Sequence, residues 1–498
     1  MMVLAESLSP AMVDLSRWQF AITIAFHMTF PAVTVGLSVF LAAVYGTYMR
    51  TRNPVYLQIF RFWKRIFAVG FALGVVAGTV ITFEFGLNWG PFASATGPIL
   101  GPIIGMEVVT AFFLEAGFIG VMLYGDGRVR ERTMFVCCCL VALGTLLSTT
   151  WILAANSWMQ TPSGYRVVDG QFQPVDWWQV IFSPSFAWRF PHMLLAVLIA
   201  ASLFVAGVAA YYLRTKRVEG FARTTFSLAL GVLAMLIPIQ LWLGDTLAGE
   251  YVVPYQPDKL AALEGFWEEG NTGYNLFVVP NQDAQRNDAM ITVPWLGSAI
   301  AKDLSGNTPT PGLAAVPQDM QPNMYASFYG FRAMFYGSAL IFAVALIGVF
   351  LRLRRKLFRT RWFQTFVLWA TPIGVIAIIG GWVTAESGRQ PWVVYGQLRT
   401  ADGVSHLSTG TVVASFVAFL VTYLILLGVW IGYVVRTVRI GPERDAASSD
   451  DAPAGGDHPP DQDPPGEGLS NETRSDGATH DTPGDTTPGT ATATGAGR

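Results

Sequence analysis

The stretch Gly380-Gly381-Trp382-Val383-Thr384-Ala385-Glu386-Ser387-Gly388-Arg389-Gln390-Pro391-Trp392 closes an apolar run from Phe366 to Val383. It sets a carboxylate and a guanidinium where a membrane-length segment meets a Gly/Pro break. A charged group in that position is costly to bury, so it usually has a partner and a task. Arg389, three residues on, lies beside Glu386 if the last helical turn persists. The plainer reading is an interfacial ion pair at a helix end. The rest of the chain decides between the two.

Working outward, 52% of the 498 residues are hydrophobic and 13% charged, with 34 Phe and 16 Trp. A soluble chain carries about a quarter charged residues, and here the apolar residues come in blocks of about 20, enough to cross a bilayer. The expected fold is an all-α polytopic membrane protein. Nine apolar segments can be drawn, near 18–46, 57–84, 99–124, 133–156, 190–213, 224–243, 326–351, 364–385 and 409–435. Net charge is −2 and no basic arm exists, so nothing points to a nucleic-acid partner. Cys137, Cys138 and Cys139 sit together inside one apolar segment and read as small packing residues. Residues 1–16 lack the basic start of a cleavable signal.

Basic residues crowd alternate loops: Arg50 to Arg65, Arg128 to Arg132, Arg214 to Arg223 and Arg352 to Arg361. The opposite loops hold only scattered cations such as Arg166, Lys259, Arg286, Lys302 and Arg399. By the positive-inside rule the first set is cytoplasmic, which puts the N-terminus outside and the C-terminus inside. The expected organisation is helices 1–6 over 1–243, an outer loop over 244–325, helices 7–9 over 326–440, and a cytoplasmic tail over 441–498. That tail is rich in Asp, Pro, Gly, Thr and Ser, with little to bury, and reads as disordered.

Within the spans, polar residues are few. His27 lies in the first and His192 early in the fifth. Either could simply bond a neighbouring helix, or ligate a metal as neutral imidazole. Met334 follows Phe331-Arg332-Ala333 early in the seventh. A membrane methionine is ordinarily packing, but a His/Met pair is a known axial set for an electron-transferring haem. Arg332 beside it suits a haem propionate, since a guanidinium matches carboxylate geometry. Glu107 and Glu115 share the third span, about 80° apart on a regular helix. Two acids on overlapping faces of an apolar helix suggest a metal site or a proton relay. The orientation puts His27, Glu107, His192, Met334 and Glu386 in the outer half, with Glu115 deeper.

These residues sit in longer motifs: Ser16-Arg17-Trp18-Gln19-Phe20-Ala21, Phe85-Gly86-Leu87-Asn88-Trp89, Trp158-Met159-Gln160 with Pro162, Gly388-Arg389-Gln390-Pro391-Trp392, and Gly244-Asp245 followed by Gln256 to Glu264. With them the chain, from about Leu15 to Gly441, resembles subunit I of the cytochrome bd-type quinol oxidases. The resemblance implies two b-type haems, one low-spin and one high-spin, and one d-type haem. His192 and Met334 match the low-spin axial ligands. His27 and Glu386 match those of the high-spin pair, with haem d usually at His27. Glu107 matches a carboxylate at that pair and Glu115 a proton-path residue, while Lys259 and Glu264 match quinol-binding residues. The resemblance also implies a bacterial plasma-membrane heterodimer with a subunit II, and a small single-span subunit as a further candidate partner. The loop after Glu264 is of the short type. Glu84 departs from the pattern, since glutamine is frequent there.

The expected function is that of a terminal oxidase subunit, oxidising quinol at the outer face and reducing O2 to water with cytoplasmic protons. This builds a proton motive force without a pump. A secondary transporter is the rival class, since it too uses buried acids and broken helices. It calls for matching broken spans in two halves, and none is seen. A plain membrane anchor would not need five ligand-type residues at one depth.

Overall fold

The computed structural model describes residues 10–270, 273–294 and 311–442. Lys302 and the tail from 443 onward lie outside the described residues. Among those described, nine helical segments are long and apolar enough to cross a membrane. A chain in lipid must satisfy every backbone polar group internally, which is why apolar blocks of this length become helices.

The first segment is two helices, α1 (Pro10–Thr29) and α2 (Pro31–Thr51). Pro31 has no N–H to continue the ladder, so the helix breaks at Phe30. Then come α3 (Pro54–Leu87), α4 (Gly90–Glu107), a five-residue π turn (Val108–Phe112), α5 (Phe113–Tyr124) and α6 (Glu131–Gln160). They are followed by α7 (Phe186–Thr215) and α8 (Glu219–Leu247). The segment containing α8 was expected to end at 243, but it remains helical to Tyr255 through a second π turn. The short α9 (Pro257–Glu264) precedes α10 (Met324–Leu353). The eighth segment is broken at Pro372 into α11 (Arg361–Ala370) and α12 (Ile373–Ser387), and α13 (Thr409–Ile440) closes the bundle. Local signals set several starts. The Asn53 side chain accepts from the Val55 N–H at 3.0 Å ahead of Pro54, and Asn323 accepts from Ala326 at 2.9 Å.

The structure bears out the helical membrane fold, and among the described residues the loops add three small antiparallel hairpins: β1 (Tyr165–Val168) with β2 (Gln171–Pro174), β3 (Tyr274–Asn281) with β4 (Arg286–Val293), and β5 (Trp392–Val394) with β6 (Leu398–Arg399). All three belong to loops at one end of the bundle. Tyr395 N–H donating to the Met159 carbonyl ties two of these loops together.

Small residues bring helices into contact where lipid gives no hydrophobic drive between them. Gly36 of α2 faces Ala201 of α7, and Gly374 of α12 faces Ala200. Gly330 of α10 meets Gly380 of α12 so closely that a Cβ on Gly330 would lie 2.8 Å from the Gly380 carbonyl oxygen. That crossing places Met334, one turn along α10, against α12.

Candidate functional site

The densest polar layer lies at the hairpin-bearing end and is centred on Glu386, at the last turn of α12. Its Oε1 accepts from Asn156 Nδ2 at 3.0 Å and from Gln160 Nε2 at 3.2 Å, both on the last turns of α6. Its Oε2 pairs with the Arg389 guanidinium, as the i,i+3 spacing anticipates. Arg189, from the first turn of α7, donates to Asn156 Oδ1 and, at 3.3 Å, to Ser157 Oγ.

Gln160 is the hub. Its Oε1 accepts from Lys259 Nζ at 2.8 Å, Tyr251 OH at 3.1 Å and Gln256 Nε2 at 3.1 Å. Lys259 is almost fully buried, and its stem packs on Gly388, where a Cβ would fall 2.5 Å from Lys259 Cγ. Burial, helped by the charges of Arg189 and Arg389 and opposed by Glu386, pushes the Lys259 amine well below its usual value. Glu264, five residues on, pairs with Arg332 at 3.0 Å. Burial raises its carboxyl above the usual range, with Arg332 opposing.

Arg332 is fully engaged. Besides Glu264 it donates to the carbonyls of Asn275 (3.0 Å) and Leu263 (3.2 Å), and its guanidinium lies 4.2 Å from the Phe328 ring centre. A free Arg332 awaiting a haem carboxylate is therefore not what the structure shows. Arg389 fits that role better, because its Nε and Nη1 are buried without a hydrogen-bond partner. Two buried guanidinium groups, Arg189 and Arg389, face the single carboxylate of Glu386. An anionic ligand is what such a surplus calls for.

The four candidate axial residues share one property. His27, His192, Met334 and Glu386 are each only partly buried, while the charged residues behind them are sealed. Three of the four face a glycine. A Cβ at Gly78 would lie 3.2 Å from His27 Cε1, one at Gly244 3.2 Å from His192 Cε1, and one at Gly381 2.8 Å from Met334 Sδ. Nδ1 of both histidines is buried without a hydrogen-bond partner. Gln240 Nε2 stands 3.4 Å from His192 Nε2. Among the described residues no three His, Cys, Asp or Glu side chains converge as a metal-ligand group. Isolated single ligands suit an iron whose other donors come from a macrocycle, so the residues fit haem.

Glu107 and Glu115 form a separate pair. Ser148 Oγ of α6 donates to Glu107 Oε1 at 2.8 Å, and a Cβ at Gly144 would lie 2.5 Å from Glu115 Cγ. Ser148 and Gly144 are one turn apart on a single face of α6. The π turn between the acids explains how both reach it. It takes in one extra residue without a further turn, which removes about 100° from the 80° of a regular helix and leaves roughly 20°. Trp151 Nε1 donates to Thr110 Oγ1 within that turn, at 2.8 Å.

The structure thus joins Glu386 to Arg389 and Lys259, Glu264 to Arg332, and Glu107 to Glu115 through α6. It keeps His27 apart, against α3. Sequence reasoning missed Asn156, Arg189, Tyr251 and Gln240, and quoted Gln160 and Gln256 only as motif letters. Three polar residues within the last turns of an apolar helix, Asn156, Ser157 and Gln160, were the signal available.

The family model of cytochrome bd terminal oxidase subunit I matches residues 15–442. The chain is 31% identical to cytochrome bd ubiquinol oxidase subunit 1 of Bacillus subtilis, over 86% of this chain and 94% of that one. It is 30% identical to cytochrome bd-II ubiquinol oxidase subunit 1 of Escherichia coli, over 86% and 97%. Among solved structures, the bd oxidase from Geobacillus thermodenitrificans superposes with a TM-score of 0.79 at 27% identity, covering 86% of this chain and 98% of that chain. Nine apolar segments, the polar layer around Glu386 and a match along nearly the whole bundle agree: the chain belongs to the cytochrome bd terminal oxidase subunit I family.

Proposed function

We propose that this subunit, in the plasma membrane of a bacterium, couples quinol oxidation at the hairpin-bearing, outer end to reduction of O2 to water. The N-terminus is then outside and the C-terminus cytoplasmic, in line with the basic loops at the other end. The observation that carries the reading is the Gln160 hub. It joins Lys259, on the segment matched to quinol binding, to Glu386, matched to a high-spin haem, through one side chain.

Two b-type haems, one low-spin and one high-spin, and one d-type haem would, when bound, supply electron transfer and the oxygen chemistry. His192 and Met334 would hold the low-spin haem, and His27 and Glu386 the high-spin pair. Arg389, with the Arg189 charge nearby, would orient a haem carboxylate through its buried, unpartnered N–H groups. Glu264, its carboxyl raised by burial, accepts a proton from the quinol hydroxyl and releases it outward. Lys259, held neutral, donates a hydrogen bond to the quinol oxygen without adding a charge to a crowded cationic layer. Arg332 fixes the Glu264 carboxylate.

Protons consumed in oxygen reduction enter from the cytoplasmic side, where Glu115 and then Glu107 with Ser148 hand them along α6. Release at one face and uptake from the other separate charge without a pump. A subunit II completes the heterodimer within membrane lipid, and a small single-span chain is a further candidate partner.

A reduced-minus-oxidised absorption spectrum of membranes carrying the complex tests the reading. A far-red chlorin band beside b-type bands is expected, with His192→Ala removing the low-spin component. A full haem complement in that variant overturns the ligand assignment.

A further inference from the structure

Glu84 takes no part in the scheme above, yet it is the most deeply buried acid among the described residues, 1% exposed. It lies one turn from the end of α3, and its two oxygens are unlike. Oε1 accepts from Thr23 Oγ1 of α1 at 2.7 Å, and Thr23 in turn receives the Tyr423 hydroxyl of α13 at 3.2 Å. Oε2 is buried with no hydrogen-bond partner. Near it, Gln19 Oε1 accepts from Asn88 Nδ2 at 3.1 Å and Ser415 Oγ at 3.2 Å. Asn88 continues to the loop beyond α12, where its carbonyl accepts from the Ser405 N–H.

Gln19, Thr23 and His27 recur every four residues on α1 and therefore form one stripe. Glu84 contacts that stripe one turn from His27, on the side toward the hairpin-bearing end. None of its recorded partners on α1, α3 or α13 is a cation. The titratable groups around it are Tyr423, on α13, and His27, inward on α1. An acid buried without a counter-ion and with one oxygen unpaired is not a structural clasp, because glutamine would close the Thr23 contact without the burial cost of a charge.

We propose that Glu84 is a proton-exchanging residue coupled to the charge of the haem held by His27. When that haem gains an electron from quinol, Glu84 takes one proton at Oε2 from the outer aqueous phase, along the Asn88–Gln19–Ser415 layer. On reoxidation it returns the proton, so the buried charge is balanced in both states. The inference rests on the assignment of His27 as a haem ligand.

The test uses the whole complex and two readouts besides turnover: the redox-difference infrared spectrum in the carboxyl C=O region, and the pH dependence of the haem midpoint potential. Glu84→Gln keeps the shape and the Thr23 contact but cannot exchange a proton. The expected result is loss of one carboxyl band and a flatter pH dependence for the haem that His27→Ala removes. If Glu84→Gln lowers haem content, Thr23→Val carries the test, because it leaves the acid in place and is expected to shift the band without abolishing it. An unchanged carboxyl spectrum and unchanged pH dependence in the variant that retains haem overturn the proposal. A full haem complement in His27→Ala would instead overturn the ligand assignment, and the infrared band would then report on Glu84 alone.

Discussion

The Glu386 layer and the Glu107/Glu115 pair are both acids inside one helical bundle, but they are built differently. Glu386 accepts from two amides and a guanidinium, and the Gln160 oxygen beside it receives three further donors. Glu107 has one serine, and the segment that carries it, from Gly90 to Tyr124, is only 17% buried in its most apolar window. Acceptor oxygens satisfied on every side, as those of Glu386 and Gln160 are, fix their side chains, which is what holding a ligand at fixed geometry requires. An acid on one hydroxyl keeps its rotamers, which is what passing a proton requires. The contrast teaches that burial alone does not assign a role; the number and charge of the partners do.

The sharpest way to break this comparison is to remove the two acids in parallel. Glu386→Ala leaves Arg389 and Arg189 buried without a carboxylate. Breaking a buried pair in this way costs about 3–5 kcal/mol. The variant is expected to unfold at lower temperature in a detergent-solubilised melt and to lose one high-spin haem from its spectrum. Glu107→Ala is expected to keep both. Equal losses in the two variants would erase the distinction.

The next effect is in quinol chemistry. Lys259→Met is expected to lower kcat/KM for quinol at least tenfold, about 1.4 kcal/mol of transition-state stabilisation, with haem content intact. The pH dependence has a definite sign. The Glu264 carboxyl is raised by burial, so acidification through that raised value protonates the acceptor and quinol oxidation falls. The same acidification charges Lys259, whose amine is lowered, and works in the same direction. Glu264→Gln is expected to lower the rate and to shrink the acid limb of a steady-state pH profile to the part that Lys259 sets. An unchanged limb would place the titrating group elsewhere.

Much of the first region was legible in the sequence. Apolar block length sufficed for nine spans, because lipid leaves a backbone few options. The Glu386–Arg389 pair followed from i,i+3 spacing. What was not legible depends on partners distant in the chain. Arg332 stands two positions from Met334, yet it turns to Glu264, 68 residues away. Gln160 draws its donors from 91 to 99 positions on. The π turn was hidden for another reason. Val108-Val109-Thr110-Ala111-Phe112 has an ordinary apolar composition, so the extra residue that aligns Glu107 with Glu115 leaves no trace in the hydrophobic pattern. The breaks at Pro31 and Pro372 were written plainly and were read only as continuous apolar runs.

Ser148→Ala sharpens the second region. It removes one hydrogen bond to a carboxyl, worth about 1 kcal/mol net, and leaves every residue of the Glu386 layer in place. Stability and haem spectrum are expected to change little, while oxygen consumption falls and its solvent deuterium isotope effect rises. Unaltered turnover would show that protons reach the oxygen-reducing site without Glu107.

Trp151→Phe is expected to have the smallest effect on stability and the most informative one on mechanism. The indole N–H holds Thr110, whose hydroxyl also donates to the Met106 carbonyl one turn back at 2.6 Å. Phenylalanine keeps the ring packing and deletes one hydrogen bond, about 0.5–1.5 kcal/mol. If that bond fixes the π turn, its loss lets the segment relax toward a regular helix, and the two acids turn relative to each other by about 100°, to a separation of about 80°. Glu107 then leaves Ser148, although neither residue has been altered. Turnover in Trp151→Phe is expected to fall toward the Ser148→Ala level, and combining the two substitutions to add little, since both break the same contact. Full additivity in that double-mutant cycle would mean that the π turn shapes the helix without aligning the acids.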